Sequence, residues 1–146
     1  MATTATPGIE KTPDVCFGAA RIGNHRIPVW LIVLNKKMGA SDAAILDNYP
    51  QLTPDDLAAC WDYYREEPVE IERKIWYNHV AGNVPPGTPV PASAIVSGKL
   101  LGLLDEEIAE SFDEPLTPDA IAAAWREYMA APQRIEREIA ALRLAG

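Results

Sequence analysis

Residues 52–64, LTPDDLAACWDYY, and residues 116–128, LTPDAIAAAWREY, read as one helix written twice, and that repetition decides the fold. In each copy a threonine hydroxyl can accept an orphan amide at the helix start, and the proline after it costs nothing at the first helical position. Leu57, Trp61 and Tyr64 follow at spacings of four and three, which defines one apolar stripe. Downstream, the same shift of 64 pairs Pro68 with Pro132, Ile71-Glu72-Arg73 with Ile135-Glu136-Arg137, and Ile75 with Ile139. Upstream, across a single inserted residue near Glu114, a shift of 63 pairs Pro28 with Pro91, Ile32 with Ile95, Lys36 with Lys99, Gly39 with Gly102, Asp42 with Asp105 and Ile45 with Ile108. Together the two registers give 20 identities over the 49 residues 27–75. A self-match of that density predicts two copies of one structural unit.

Each copy reads as three or four helices. The first opens with short extended pieces around residues 19–22 and 26–29, joined through Gly23-Asn24, a dipeptide suited to a tight turn. Pro28 can begin a helix whose body, residues 29–37, is apolar nearly all round and therefore buried, and Gly39 supplies its left-handed cap. Ser41 caps a second helix carrying Ile45 and Leu46, which Pro50 ends. Thr53 and Pro54 start the third. A fourth follows Pro68, with Ile71, Ile75 and His79 on one stripe, and its counterpart after Pro132 aligns Ile135, Ile139 and Leu142. The expected fold is mainly α: tandem helix-turn-helix-like units of three or four helices with a short N-terminal β-hairpin, packed as an intrachain pseudo-dimer, because a copy of this length is marginal alone. The expected organisation is a flexible N-terminus (1–12), a first repeat (13–80), a linker (81–91) rich in Gly and Pro and stiffened by proline, and a second, degenerate repeat (92–146).

The 146 residues are 48% hydrophobic and 23% charged, enough apolar content to bury a core. The longest apolar run, residues 29–34, falls far short of the roughly 18 residues that would span a bilayer. The first 13 residues lack the apolar centre of a signal peptide, so a cytoplasmic location is expected. Cys16 and Cys60 lack metal-type spacing and read as reduced thiols, and neither His25 nor His79 lies at a zinc-site spacing. No phosphate-binding glycine loop, nucleophile elbow or His-Glu-x-x-His occurs. The chain is thus expected to be no enzyme and to hold no metal or cofactor.

The run Gly18-Ala-Ala-Arg21-Ile22-Gly-Asn-His-Arg26-Ile27-Pro28-Val29, followed by Gly39-Ala-Ser41 and by Tyr49-Pro50-Gln-Leu52-Thr53-Pro54-Asp55-Asp56-Leu57, resembles the family called domain of unknown function 433. Its members carry a glycine-rich start, an extended Arg-Ile-Pro-Val, a Gly-x-Ser turn and a Tyr-Pro-x-Leu-Thr signature. The likeness is strong over residues 12–66. The second copy keeps a shadow of it, with Pro89 where the first has Arg26. The resemblance implies an antitoxin-like helix-turn-helix regulator that binds a partner protein, a PIN-like ribonuclease toxin, and its own promoter DNA.

Charge sets the candidate residues. The chain carries a net −8, with −3 in residues 1–80 and −5 in residues 81–146, and phosphate contacts dominate DNA affinity, so an acidic chain starts at a disadvantage. Within residues 11–37, however, Lys11, Arg21, Arg26, Lys36 and Lys37 face Asp14 alone. The candidate DNA-binding residues are therefore Arg21, His25, Arg26, Lys36 and Lys37. Asp55 and Asp56 at the start of the third helix either complement its dipole or accept from a cytosine amino group. A second reading is an acidic protein-interaction module without DNA binding, since residues 105–119 hold seven carboxylates and no basic side chain. On the last helix, Ile135, Arg137, Ile139, Leu142 and Arg143 are candidate partner-binding residues; the alternative is that their stripe docks on the chain's own core.

Overall fold

The computed structural model describes residues 2–3, 8–11, 19–23 and 25–144. Among these lie three short strands, β1 (Ala2–Thr3), β2 (Ile9–Lys11) and β3 (Arg21–Ile22). Eight α-helices follow: α1 (Val29–Lys37), α2 (Asp42–Asn48), α3 (Pro54–Glu66), α4 (Pro68–Ile75), α5 (Ala92–Leu100), α6 (Asp105–Glu110), α7 (Pro118–Ala130) and α8 (Pro132–Leu144). The chain divides into two compact units, Met1–Lys74 and Ile75–Gly146. That division precedes the Gly/Pro-rich stretch 81–91, because Trp76, Val80 and Ala81 already belong to the second unit's core.

In the first unit the expected hairpin forms: the Ile22 amide donates to the Ile27 carbonyl and the Val29 amide to that of Ala20. Asn24 of its turn lies outside the described residues. The N-terminal stretch, expected to be flexible, contributes β1 and β2, and β2 pairs antiparallel with β3 through Ile9 opposite Ile22. Ile9 and Ile22 are both buried, so apolar burial holds this strand in place. Helix α1 has the expected bounds, with Val29, Ile32, Val33 and Leu34 buried, each stabilising by about 1.5–3 kcal/mol. It ends at Gly39, whose φ of 99° lets the amides of Gly39 and Ala40 return to the carbonyls of Lys36 and Asn35.

Helix α3 starts as its sequence dictates. Thr53 Oγ1 accepts from the Asp56 amide while Asp56 accepts from the Thr53 amide, closing a capping box. Its buried stripe is Leu57, Cys60 and Tyr63 rather than the expected Leu57, Trp61 and Tyr64. The helix is rotated so that Trp61 and Tyr64 sit half-buried at the edge of the core, where their rings meet lysines.

In the second unit α5 packs against α7 and α8 around a core of Ala94, Ile95, Val96, Ile108, Ile121 and Ile135. Helix α5 ends as α1 does, with Gly102 at φ 82° and the Gly102 and Leu103 amides returning to Lys99 and Gly98. The expected Ile71, Ile75, His79 stripe does not continue beyond Ile75. A turn of π-helix at Trp76–Val80 advances the register and turns Trp76 and Val80 into the core, leaving His79 half-buried. Trp76 Nε1 donates to the Ala94 carbonyl at 2.8 Å, and its ring meets Phe112 edge-on at 5.9 Å.

Candidate functional site

The basic segment of the first unit folds onto carboxylates from other elements. Arg21 is buried, donates to the Gly23 carbonyl and pairs with Glu10 of β2 at 3.3 Å. Lys36 Nζ lies 2.8 Å from Asp42 Oδ1 and 5.6 Å from the centre of the Trp61 ring. Lys37 pairs with Glu72 of α4 at 2.7 Å and lies 5.6 Å from the Tyr64 ring centre, while the Tyr64 hydroxyl donates to the same Glu72. Lys11, from the same stretch, pairs with Glu70 at 2.8 Å, and Glu70 also accepts from the Tyr63 hydroxyl. Burial alone would lower the Lys37 ammonium, yet the hydrogen bonds to Glu72 and Tyr64 outweigh it and hold its pKa above the ordinary value. Burial, with Glu72, holds the Tyr64 hydroxyl up.

Of the five candidate DNA-binding residues, Arg21, Lys36 and Lys37 are thus engaged within the unit. Arg26 is exposed beside half-buried His25 at the hairpin tip. The local excess of positive charge read along residues 11–37 is compensated in space by Glu10, Asp42, Glu70 and Glu72. Asp14 and Cys16 lie outside the described residues. Asp56 caps its own helix, and no hydrogen bond is needed from elsewhere to account for it.

The candidate partner-binding stripe belongs to the interior. Ile135 and Ile139 are buried in the second unit's core and Leu142 packs against it, a correction that follows from α5 and α7 offering α8 an apolar bed. The outer side of α8 presents exposed Arg137 and Arg134, and Arg134 bridges Glu127 at 2.9 Å and Glu138 at 3.2 Å. The Arg143 side chain is not among those described.

The sequence held a signal for this geometry. Lys36, Asp42 and Trp61 recur together as Lys99, Asp105 and Trp125, and Lys99 Nζ lies 2.7 Å from Asp105 and 5.3 Å from the Trp125 ring centre. The three residues stand at matching positions of the internal register and are in contact within each unit. Cys60 is buried and its thiol is pushed up to about 12, chiefly by burial, which keeps it protonated at neutral pH. Among the described residues no group of three or more His, Cys, Asp or Glu could hold a metal ion, and no helix is long and apolar enough to cross a membrane.

A family model described as protein of unknown function (DUF433) matches residues 9–64. The chain is similar to the crystal structure of a DUF433 member protein from Anabaena variabilis ATCC 29413, with 51% sequence identity covering 47% of this chain and 67% of that one, at a TM-score of 0.46. The search of curated proteins found no match.

Proposed function

We propose that this chain, which belongs to the DUF433 family through residues 9–64, is a non-enzymatic, antitoxin-like regulator that acts by binding a partner protein rather than by gripping DNA. The observation that carries the reading is the pairing of Arg21, Lys36 and Lys37 with Glu10, Asp42 and Glu72. Phosphate binding needs cations whose counterions are small and releasable, and a carboxylate held in the same fold is neither. Engaging DNA would break these pairs, whereas engaging a protein surface leaves them intact.

The two units are read as copies of one ancestral unit, supported by matched helix bounds, matched glycine caps and the repeated Lys-Asp-Trp trio. The partner class that family resemblance suggests is a small PIN-like nuclease encoded beside this chain. The test is to mix the purified chain with the product of the adjacent reading frame, and separately with its own upstream DNA at about 50 mM salt. A stable protein complex without DNA retention is expected. DNA binding that falls steeply with salt, with no protein complex, would overturn the reading.

A further inference from the structure

We propose that Leu100, Leu104 and Met129 form a docking surface for a basic, apolar-faced helix of a partner protein. This deepens the partner-binding reading and rests on it. These residues are 52%, 66% and 67% exposed, among the most open large apolar residues of those described. Along the chain, each adjoins a member of one cluster. Each is the immediate chain neighbour of Lys99, Asp105 or Tyr128; Lys99 bridges Asp105, Lys99 lies over Trp125, and the Trp125 and Tyr128 rings are 5.3 Å apart.

The internal register shows what each of the three displaces. At the equivalent positions the first unit has Lys37, Ser41 and Arg65. Lys37 pairs with Glu72, Ser41 Oγ accepts from the Ala44 amide to cap α2, and Arg65 pairs with Asp62. The second unit gives up all three polar contacts and exposes apolar surface instead. At Leu104 the loss is plainest: α6 starts without a hydroxyl cap, and only Glu107 reaches back, accepting from the Leu104 amide at 3.0 Å. A fold gains nothing internally from three such exchanges, and grouped exposed apolar side chains mark interaction sites.

Charge selects the occupant. Helix α6, which begins at the residue after Leu104, places Asp105, Glu106, Glu107 and Glu110 on the surface, and Lys99 inside the patch is neutralised by Asp105. The complementary ligand has an apolar stripe flanked by Lys or Arg, the pattern of an amphipathic helix laid on an apolar face.

The probes are a fluorescent Leu/Lys peptide with its leucines on one helical face and a Leu/Glu peptide of the same pattern, titrated by anisotropy against the full chain. The variant L100K/L104S/M129R installs the first unit's own residues and is expected to melt no lower than wild type. The Leu/Lys peptide should bind at least about tenfold more tightly than the Leu/Glu peptide, and the triple substitution should weaken it by at least about tenfold. Equal binding of the two peptides, no binding of either, or an unchanged affinity in the folded variant overturns the proposal. So does sedimentation showing that wild type pairs with itself through this patch while the variant does not. If the neighbouring gene product binds the variant as well as wild type while the peptides are not distinguished, the docking surface falls and the partner-binding reading stands.

Discussion

A methyl group added at Gly98 would lie 2.8 Å from Cζ2 of Trp76 and 3.3 Å from Cγ1 of Ile108, so the smallest residue holds the place where the largest one docks. The tryptophan cannot retreat without breaking its hydrogen bond to the Ala94 carbonyl. Gly98→Ala is therefore expected to destabilise the chain by about 1–3 kcal/mol, read by urea denaturation. Cys60 makes a different prediction. Burial, aided by the Asp56 carboxylate, raises its thiol from 9.0 to about 12, so the folded chain keeps a proton that the unfolded chain releases. The resulting stability is intact below about pH 9 and is lost as pH rises toward 12, by at most about 1.4 kcal/mol per pH unit. Denaturation midpoints measured across that window should fall less steeply in Cys60→Ala. Neither Gly98 nor the ion pairs of Lys36 and Lys37 could be weighed from composition, because their effect depends on what the chain brings opposite them. Lys36 and Lys37 read as a bare basic row along the chain, while their neutralising carboxylates arrive from α2 and α4.

Helix starts and stops were the legible elements. Thr53 with Pro54 and Thr117 with Pro118 begin α3 and α7 because a hydroxyl and a preset φ act over three residues of local chain. Thr53→Ala and Thr117→Ala should each cost about 1 kcal/mol, measurable as separate shifts in the denaturation midpoint. Two elements were hidden. Strand β2 is three residues long, too short to show alternation, and its partner β3 lies across a stretch whose pairing no local pattern encodes. The π turn at Trp76–Val80 was equally silent, since it is recognised by where its side chains land: continuing the α-helical stripe points to His79, and the widened turn buries Trp76 and Val80 instead. The stripe on α8 reads as apolar in the sequence, but periodicity alone does not say whether such a face meets the chain's own core or a foreign one.

For the whole molecule, excess acid is the dominant property. With 21 carboxylates against 13 basic side chains and a sequence isoelectric point near 4.7, the chain should be least soluble close to that pH, which turbidity scans would check. The same imbalance is spread unevenly: the first unit sets Lys11, Arg21, Lys36 and Lys37 in internal pairs, and the second displays carboxylates beside exposed leucines. Both units close their first helix with a glycine twisted the opposite way from ordinary residues, Gly39 at φ 99° and Gly102 at φ 82°. Those two backbone positions are, in effect, already of mirror hand. Chemical synthesis that places D-alanine at either one should therefore stiffen the loose chain without straining the native one, raising stability by about 0.4–1 kcal/mol where L-alanine would lower it.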